Sequence, residues 1–274
     1  MGTDRSDTSH TLNLVTLNIF GVPFMQDTRA RLATIARELD THALDVVCLQ
    51  EVQLFTYVPL LDEAFSKFPF KAYERFIYAP KGGLLTFSRR RLERTDFVLY
   101  PERGWWHTPS LADRLLHKGI LLTELHYANQ HIIILNTHLT ANYSGDWSPV
   151  NRYARLAHAQ LRQLAEVVNQ LDQGSIVVIV GDFNLPRHSW LYDDFIALTG
   201  VIDPLDGDLT PTYYPIVSLP DRYQQPIDYT FVRIPLDCSA EVRAKLVFTQ
   251  EVTLTTGSSG RVSDHAGIEL SLRW

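Results

Sequence analysis

The sequence has few of the features that define several common protein classes. Only two cysteines, Cys48 and Cys238, occur among 274 residues, so we expect no disulfide framework. Cys48 lies in an apolar run, where a reduced and buried thiol is expected. No stretch approaches the ~20 consecutive apolar residues of a membrane-spanning helix. The first ten residues lack the apolar segment of a signal peptide, so we expect a cytoplasmic protein.

An excess of positive charge is also missing. The chain carries 25 Lys and Arg against 31 Asp and Glu, which gives a formal net charge of −6 and a pI near 5.9. This balance disfavours tight nonspecific binding of nucleic acid, although a bound divalent cation can reverse the potential inside a cleft. The cluster of Arg89, Arg90, Arg91 and Arg94 is explained as readily by a solvated surface.

The chain shows no internal repeat and no low-complexity linker that would divide it. With 45% hydrophobic residues, its length is sufficient to bury a large core. We therefore expect a flexible segment over residues 1–10, one catalytic domain over 11–274, and a monomer.

Apolar runs and helical periodicities alternate along the chain. Runs of β-branched and aliphatic residues predict strands, and apolar repeats at three and four residues predict helices. The predicted strands cover 12–19, 43–51, 83–88, 119–125, 131–138, 176–182, 227–232, 246–254 and 263–272, with a hairpin turn at 128–129 and helices over 27–40 and 150–171. This pattern predicts an α+β fold of two packed sheets flanked by helices.

Polar side chains follow the apolar strands. Each has an ordinary alternative when taken alone, since Asn18 can cap a turn, Glu51 can begin a helix and His138 can be a satisfied histidine. Asp182 and Asn184 lie two residues apart, so strand alternation predicts that they share a face. Eight polar residues at strand ends predict a binding site, and they are Asn18, Glu51, His138, Asp182, Asn184, Asp228, Asp264 and His265.

The chemistry of this set indicates a hard divalent cation. Carboxylate and amide oxygens with few histidines and no thiolates suit Mg²⁺, Mn²⁺ or Ca²⁺ rather than structural zinc. Mg²⁺ takes one or two protein carboxylates and fills its other positions with water and substrate phosphate oxygens. A phosphate ester is therefore the expected substrate.

Six short motifs carry a family resemblance. They are LNLVTLNIFG, DVVCLQEV, NTHL, VGDFN, IDYTFV and SDHAGIEL, in this order over nearly the whole chain. Together they resemble the motifs of the endonuclease/exonuclease/phosphatase superfamily. The resemblance implies a four-layer α/β/β/α sandwich like that of DNase I, with a divalent metal in the cleft where the strand ends converge.

The resemblance also implies roles for individual residues. Glu51 would be the principal metal ligand, and Asn18 would assist it directly or through water. Asp182 and Asn184 would orient the attacking water and hold a phosphate oxygen.

The histidines have implied roles as well. His265 would be the general base or a phosphate contact, with Asp264 nearby, and Asp228 would fix its imidazole. His138 would stabilise charge on the phosphoryl group. Either Asp182 or His265 can be the base, because an imidazole held by a carboxylate can accept a proton near neutral pH.

One segment resembles the neutral sphingomyelinases more closely. In residues 110–120 an aspartate, Asp113, precedes a Lys-Gly pair that contains Lys118, and the stretch 136–143 also resembles that family's strand-end histidine motif. The resemblance implies a phospholipid substrate, with sphingomyelin cleaved to ceramide and phosphocholine, and substrate contacts by Lys118, Asp113 and Asn184. The alternative is a helix-to-strand junction whose acid and base are merely solvated.

Adjacent tryptophans give a further hint of lipid. Trp105 and Trp106 are expected to suit a membrane interface, where amphipathic rings sit among headgroups. Core packing under a long loop explains the pair equally well.

Three other functions are alternatives to this one: a nuclease, a phosphoinositide phosphatase and a binding module. A nuclease or DNA-repair phosphodiesterase of the same fold is disfavoured by the acidic balance, and Phe20 stands where apurinic-site endonucleases carry an aspartate. The longer signatures of phosphoinositide phosphatases are missing. A non-catalytic binding module would be expected to have lost some of the eight polar residues.

Overall fold

The computed structural model describes residues 9–23, 25, 27–215, 220 and 223–274. Its strands are β1 Thr11–Asn18, β2 Val46–Gln50, β3 Phe70–Ala72, β4 Leu85–Ser88, β5 Arg94–Leu99, β6 Gly119–Tyr127, β7 Gln130–His138, β8 Ile176–Asp182, β9 Asp228–Arg233, β10 Glu241–Val247, β11 Val252–Thr253, β12 Ser259–Gly260 and β13 Gly267–Arg273. Its helices are α1 Thr28–Leu39, α2 Tyr57–Ala64, α3 Leu111–Leu115, α4 Arg152–Gln170 and α5 Trp190–Thr199, with a 3₁₀ turn at Lys81–Gly83.

The strands form two large sheets and a short ribbon. One sheet has the order β10-β13-β1-β2-β4-β3, the other has the order β5-β6-β7-β8-β9, and β11 pairs with β12. Side chains alternate along each strand, so Leu14 packs between the sheets while Val15 packs under α1 and α2. In β8, Val178 likewise points between the sheets and Ile179 points toward α4 and α5. The four-layer α/β/β/α sandwich is confirmed.

Parallel pairing brings the polar strand ends to one edge of the sandwich. β1 is parallel to β2, with Asn18 opposite Gln50, and β7 is parallel to β8, with His138 opposite Asp182. β9 begins where β8 ends, because Asp182 pairs with Asp228. The carboxyl ends of β1, β2, β7 and β8 and the start of β9 therefore meet.

Gly181 fixes the approach of β8 to β7 just before the first of these carboxylates. Its φ is 141°, and a Cβ at this position would lie 1.8 Å from the carbonyl oxygen of Thr137. We expect Gly181→Ala to lower the free energy of unfolding by at least about 2 kcal/mol, because strand β7 must move or the backbone must be strained. Urea denaturation measures this loss. Gly207→Ala is the control, since a Cβ there meets no atom within 4 Å; equal stabilities of the two variants would contradict the assignment.

Most predicted elements are confirmed, and one strand is wrong. The predicted hairpin turns at Ala128 and Asn129, both with positive φ, between β6 and β7. The strand predicted over 246–254 is replaced by β10 and the short β11. Phe248 has a φ of 60° and ends the pairing after Val247. The helices α2, α3 and α5 and the strands β3 and β5 were not predicted.

The sequence also led to expectations about the cysteines, membrane-spanning helices and the bounds of the domain. Cys48 is buried and both cysteines are free thiols, as expected. No helix among the described residues is long and apolar enough to span a membrane. The division into a flexible segment 1–10 and one domain over 11–274 stays a prediction, and residues 1–8 lie outside the described part of the chain.

Candidate active site

The strand ends form the floor of a cleft of about 530 Å³. The residues predicted for the site that line this cleft are Glu51, Asp113, Lys118, His138, Asp182, Asn184, Asp264 and His265. Asn18 and Asp228 lie directly beneath and hydrogen-bond to members of this set. The structure therefore brings all ten predicted site residues together.

Asn18 is at the centre of the floor. Its Nδ2 donates to Oε1 of Glu51 at 3.2 Å and to Oδ2 of Asp182 at 3.0 Å. Its Oδ1 accepts from the backbone N–H of Phe20 at 3.0 Å. This orientation links carboxylates from two different sheets, so Asn18 positions Glu51 through its amide nitrogen.

Asn184 reaches the site through a turn rather than through strand alternation. β8 ends at Asp182, and Asn184 has a φ of 54°. Its backbone N–H donates to Oδ1 of Asp182 at 2.9 Å, and its Nδ2 donates to the carbonyl oxygen of Leu139 at 3.1 Å. The prediction that Asp182 and Asn184 lie near each other is confirmed, but the geometric reason given for it is wrong.

His265 forms a buried pair with Asp228. The Nδ1 of His265 lies 2.9 Å from Oδ2 of Asp228, so its N–H donates to the carboxylate and Nε2 faces Asp182 at 3.7 Å. Burial alone would lower the pKa of His265, but the carboxylates of Asp228 and Asp182 outweigh it and raise that pKa well above its ordinary value. Burial raises the pKa of Asp182 to about 6. Near neutral pH these directions favour a protonated His265 between the carboxylates of Asp228 and Asp182, so the imidazole can supply a proton and Asp182 can accept one.

His138 approaches Asp182 from β7. Its Nε2 lies 3.4 Å from Oδ2 of Asp182, and its Nδ1 is buried without a hydrogen-bond partner among the described residues. Burial, with the nearby charge of Lys118, holds the pKa of His138 well below its ordinary value. A neutral imidazole at this position can still donate one hydrogen bond to a ligand.

Glu51 occupies a constrained backbone position immediately after β2. It has a φ of 59°, a left-handed conformation that non-glycine residues rarely adopt. Gly21 and Gly83 pack against it so closely that a Cβ on Gly21 would lie 2.2 Å from the carbonyl oxygen of Glu51. Burial raises the pKa of the Glu51 carboxyl group. Strain of this kind persists where the surrounding structure holds a functional group in place.

The described residues of the floor fit a hard divalent cation. Asp182, Asp228 and His265 are buried, and each offers one ligand atom within 4.8 Å of the others. In that group, however, Nδ1 of His265 already binds Asp228. Oε2 of Glu51 is buried without a hydrogen-bond partner in the described part of the chain. Burial of an unpaired carboxylate oxygen costs free energy unless a cation or a water molecule binds to it.

Lys118 and Asp113 are buried beside the floor. They are 1% and 5% exposed, and Nζ of Lys118 lies 2.9 Å from Oδ1 of Asp113. Lys118 also donates to the carbonyl oxygen of Leu139 at 2.8 Å, and the hydroxyl of Tyr143 donates to Asp113 at 2.9 Å. The alternative of a solvated acid and base at a helix-to-strand junction is therefore wrong.

A polar link between the two sheets was not predicted. Nε2 of Gln50 donates to Oδ1 of Asn136 at 2.7 Å, and Nδ2 of Asn136 donates to the carbonyl oxygen of Leu49 at 3.2 Å. This link lies one residue before Glu51 and two residues before His138. Polar residues inside otherwise apolar strands were the available signal.

The geometry can be compared with known proteins. The sequence profile of the endonuclease/exonuclease/phosphatase family matches residues 15–265. The chain is 26% identical over 272 residues to the Drosophila melanogaster protein named "Putative neutral sphingomyelinase", covering 96% of this chain and 60% of that protein. The chain thus spans less than two thirds of the length of that relative.

Solved structures share the fold at low identity. TDP2 of D. rerio, complexed with a single-strand DNA product, superposes with a TM-score of 0.72 at 18% identity, covering 96% of this chain and 98% of that one. Sphingomyelinase C from Streptomyces griseocarneus gives a TM-score of 0.71 at 17% identity, with coverage of 96% and 99%.

Proposed function

The chain belongs to the endonuclease/exonuclease/phosphatase family, whose members hydrolyse phosphate esters, and from this premise we propose that it cleaves the headgroup phosphodiester of a phospholipid. The proposed substrate is sphingomyelin, and the products are ceramide and phosphocholine. The likeness to a protein named as a neutral sphingomyelinase supports this choice.

One observation carries the proposal: the cleft has a charged floor and largely apolar walls. The floor holds carboxylates and imidazoles, with the buried ammonium of Lys118 beside them. The apolar and aromatic side chains in the walls are Phe20, Val22, Ala112, Leu116, Tyr143, Trp147, Tyr213 and Ile227. An amphiphile can place a phosphodiester on such a floor while its apolar groups contact the walls.

Hydrolysis in this proposal requires one water molecule. The water oxygen attacks phosphorus, the bond between phosphorus and the ceramide oxygen breaks, and one proton of the water ends on that ceramide oxygen. Asp182 and His265 are the two groups placed to accept and supply the protons, and Asp228 holds His265 with Nε2 toward the cleft. Asp182→Asn and His265→Asn variants separate their roles.

The remaining groups bind the phosphoryl oxygens and the metal. Glu51 would hold Mg²⁺, or Mn²⁺ or Ca²⁺ in its place, with Asn18 assisting, and a bound cation neutralises charge on the phosphoryl oxygens. Asn184 is proposed to orient the water and hold a phosphate oxygen. His138 is proposed to donate a hydrogen bond to the phosphoryl group, and Asp264 lies next to His265 at the cleft.

Substrate selection is assigned to the buried ion pair at the side of the cleft. Lys118 offers a positive charge to the phosphodiester, and Asp113 holds its Nζ in position. The pair is preorganised, because Tyr143 donates a hydrogen bond to Asp113 and the carbonyl oxygen of Leu139 accepts one from Lys118. Charge held ready in a partly dry cleft stabilises an anion better than a mobile surface lysine does.

A nuclease activity is disfavoured by the position of the arginine cluster. Arg89 follows β4, whose Ser88 pairs with Val46 at the start of β2, so the cluster lies at the end of the sheet opposite Glu51. Arg90 also pairs with Asp45 at 3.2 Å, and Arg94 pairs with Glu124 at 3.2 Å. These cations are therefore not placed to hold a nucleic-acid backbone at the cleft.

A panel of substrates tests the proposal. In the presence of Mg²⁺ we expect phosphocholine release from sphingomyelin in mixed micelles, slower release from phosphatidylcholine, and no cleavage of plasmid DNA or of an abasic-site duplex. The reason is the apolar wall of the cleft together with the position of the arginine cluster at the opposite end of the sheet. Cleavage of either DNA with intact sphingomyelin would favour the nuclease, and four intact substrates would favour a binding module.

A further inference from the structure

Exposed apolar side chains gather on one rim of the cleft. Ile77 and Tyr78 are 83% and 40% exposed in the turn over 75–80. Leu115, at the end of α3, is 45% exposed, and Trp106 is 58% exposed. We call these four residues the apolar rim. Their number in one place is unusual, because exposed apolar residues are normally scattered singly.

The apolar rim is continuous with the cleft. The hydroxyl of Tyr78 donates to the carbonyl oxygen of Leu115 at 2.6 Å, which joins the turn to α3. Ala112 of α3 and Leu116, just beyond its end, line the cleft, while Leu115 faces outward. A surface that contacts the rim therefore lies at the mouth of the cleft.

The rim is held in place by packing beneath it. The ring of Phe76 lies 4.1 Å from the ring of His117, between centroids, and the backbone N–H of Phe55 donates to the carbonyl oxygen of Tyr78 at 2.9 Å. The backbone N–H of Gly82 donates to Leu116 at 2.6 Å. The apolar groups are thus presented by a turn whose backbone is already ordered, which lowers the cost of covering them.

Two arginines lie beside the apolar rim. Arg114 places its guanidinium 5.2 Å from the ring centre of Trp106, and Arg75 lies 5.5 Å from that of Phe55. No ion pair of an arginine with a carboxylate among the described residues includes either guanidinium. Aromatic and aliphatic side chains with arginines among them match the interface of a bilayer, where rings and aliphatic groups enter and cations meet headgroup phosphates.

We propose that the apolar rim docks the protein on a lipid bilayer, with Ile77 and Trp106 at the acyl boundary and Arg75 and Arg114 among the headgroup phosphates. This inference rests on the proposed lipid substrate and names the surface that delivers it. The two tryptophans that were predicted to contact a membrane differ in environment. Trp105 packs against Tyr153, with ring centres 5.6 Å apart, and only Trp106 belongs to the apolar rim.

The test compares two matched substitutions in vesicle sedimentation. Ile77→Asp places a carboxylate on the rim. Leu236→Asp also replaces an exposed aliphatic side chain with a carboxylate, at a residue beyond the end of β9 that is far from the site. The vesicles are phosphatidylcholine with and without phosphatidylserine, and they contain no sphingomyelin. We expect Ile77→Asp to reduce the bound-to-free ratio about tenfold or more, because binding scales with buried apolar area, while Leu236→Asp matches the unchanged protein. Phosphatidylserine is expected to increase binding of the unchanged protein.

Three outcomes would overturn the rim proposal. They are an unchanged protein that stays in the supernatant with both vesicles, equal binding by the two variants, and self-association that Ile77→Asp abolishes without any vesicle binding. The last would assign the rim to a second copy of the chain. The vesicles lack sphingomyelin and sedimentation is done with EDTA and no added divalent cation, so binding is measured without hydrolysis of phosphatidylcholine. Sphingomyelin cleavage without rim-dependent binding would keep the proposed function and remove the docking surface.

Discussion

Replacing His265 with alanine is expected to lower kcat for phosphodiester hydrolysis by about 10²–10⁴-fold, the range for loss of a positioned acid or base. Its Nε2 faces Asp182 at the floor of the cleft, and Asp228 holds the other ring nitrogen. The measurement is steady-state hydrolysis of sphingomyelin in mixed micelles, with thermal unfolding recorded on the same samples.

Two further variants make this result interpretable. Removing a buried imidazole leaves the Asp228 carboxylate unpaired, so His265→Gln, which retains a polar side chain, checks that lost activity is not lost folding. His126→Ala is the control, because its side chain is 55% exposed in the hairpin of β6 and β7. A folded His265→Ala protein with more than about a tenth of the original kcat would remove this residue from the proton transfer.

Replacing Glu51 with glutamine is expected to weaken Mn²⁺ binding at least about tenfold and to lower kcat about 10³-fold or more, since metal-ion catalysis supplies several kcal/mol. The substitution is nearly isosteric, so the left-handed backbone and the contact with Asn18 can persist. What is removed is the negative charge and the buried oxygen Oε2, which has no hydrogen-bond partner among the described residues.

The metal experiment has a matched control and a clear contrary result. Electron paramagnetic resonance measures free Mn²⁺ during a titration, independently of turnover. Glu63→Gln makes the same chemical change on the exposed face of α2 and is expected to leave the titration unchanged. Unaltered Mn²⁺ affinity in Glu51→Gln would show that the cation binds elsewhere, with the buried group of Asp182, Asp228 and His265 as the alternative.

The central strands could be predicted because their sequences are unambiguous. Ile176–Val180 is a continuous β-branched run, and the structure buries both of its faces, one between the sheets and one under α4 and α5. Such a run has few alternatives to a central strand. The edge strand β10 has none of this signal, because Glu241, Arg243 and Lys245 alternate with less polar residues at the side of the sheet.

The missed helices are short or lack a clear periodic signal. α2 has eight residues and contains Pro59 in its first turn, where proline is tolerated but weakens a helical interpretation. α5 begins after Ser189, whose side chain accepts from the backbone N–H of Tyr192. The cap was visible in the sequence, but the apolar residues around it do not form a single stripe.

The residues of the site were easier to predict than their contacts. Parallel pairing places the ends of β1 and β2 together and those of β7 and β8 together, and the stacking of the two sheets brings both pairs of ends to one edge. The contact of the Asn184 side chain with Leu139 and the burial of Lys118 depend on segments far apart in the chain, so local patterns could not reveal them. The same holds for the link between Gln50 and Asn136, which forms only when the two sheets stack.

The central claim is that Glu51 and its neighbours at the strand ends hold one divalent cation at the floor of the cleft. The most direct measurement is a crystal of the protein grown with Mn²⁺, with diffraction recorded at the manganese absorption edge. We predict one strong anomalous peak in contact with the Glu51 carboxylate, on the cleft side of Asp182. A peak bound only to Asp182, Asp228 and His265, or a floor without any peak, would contradict the account.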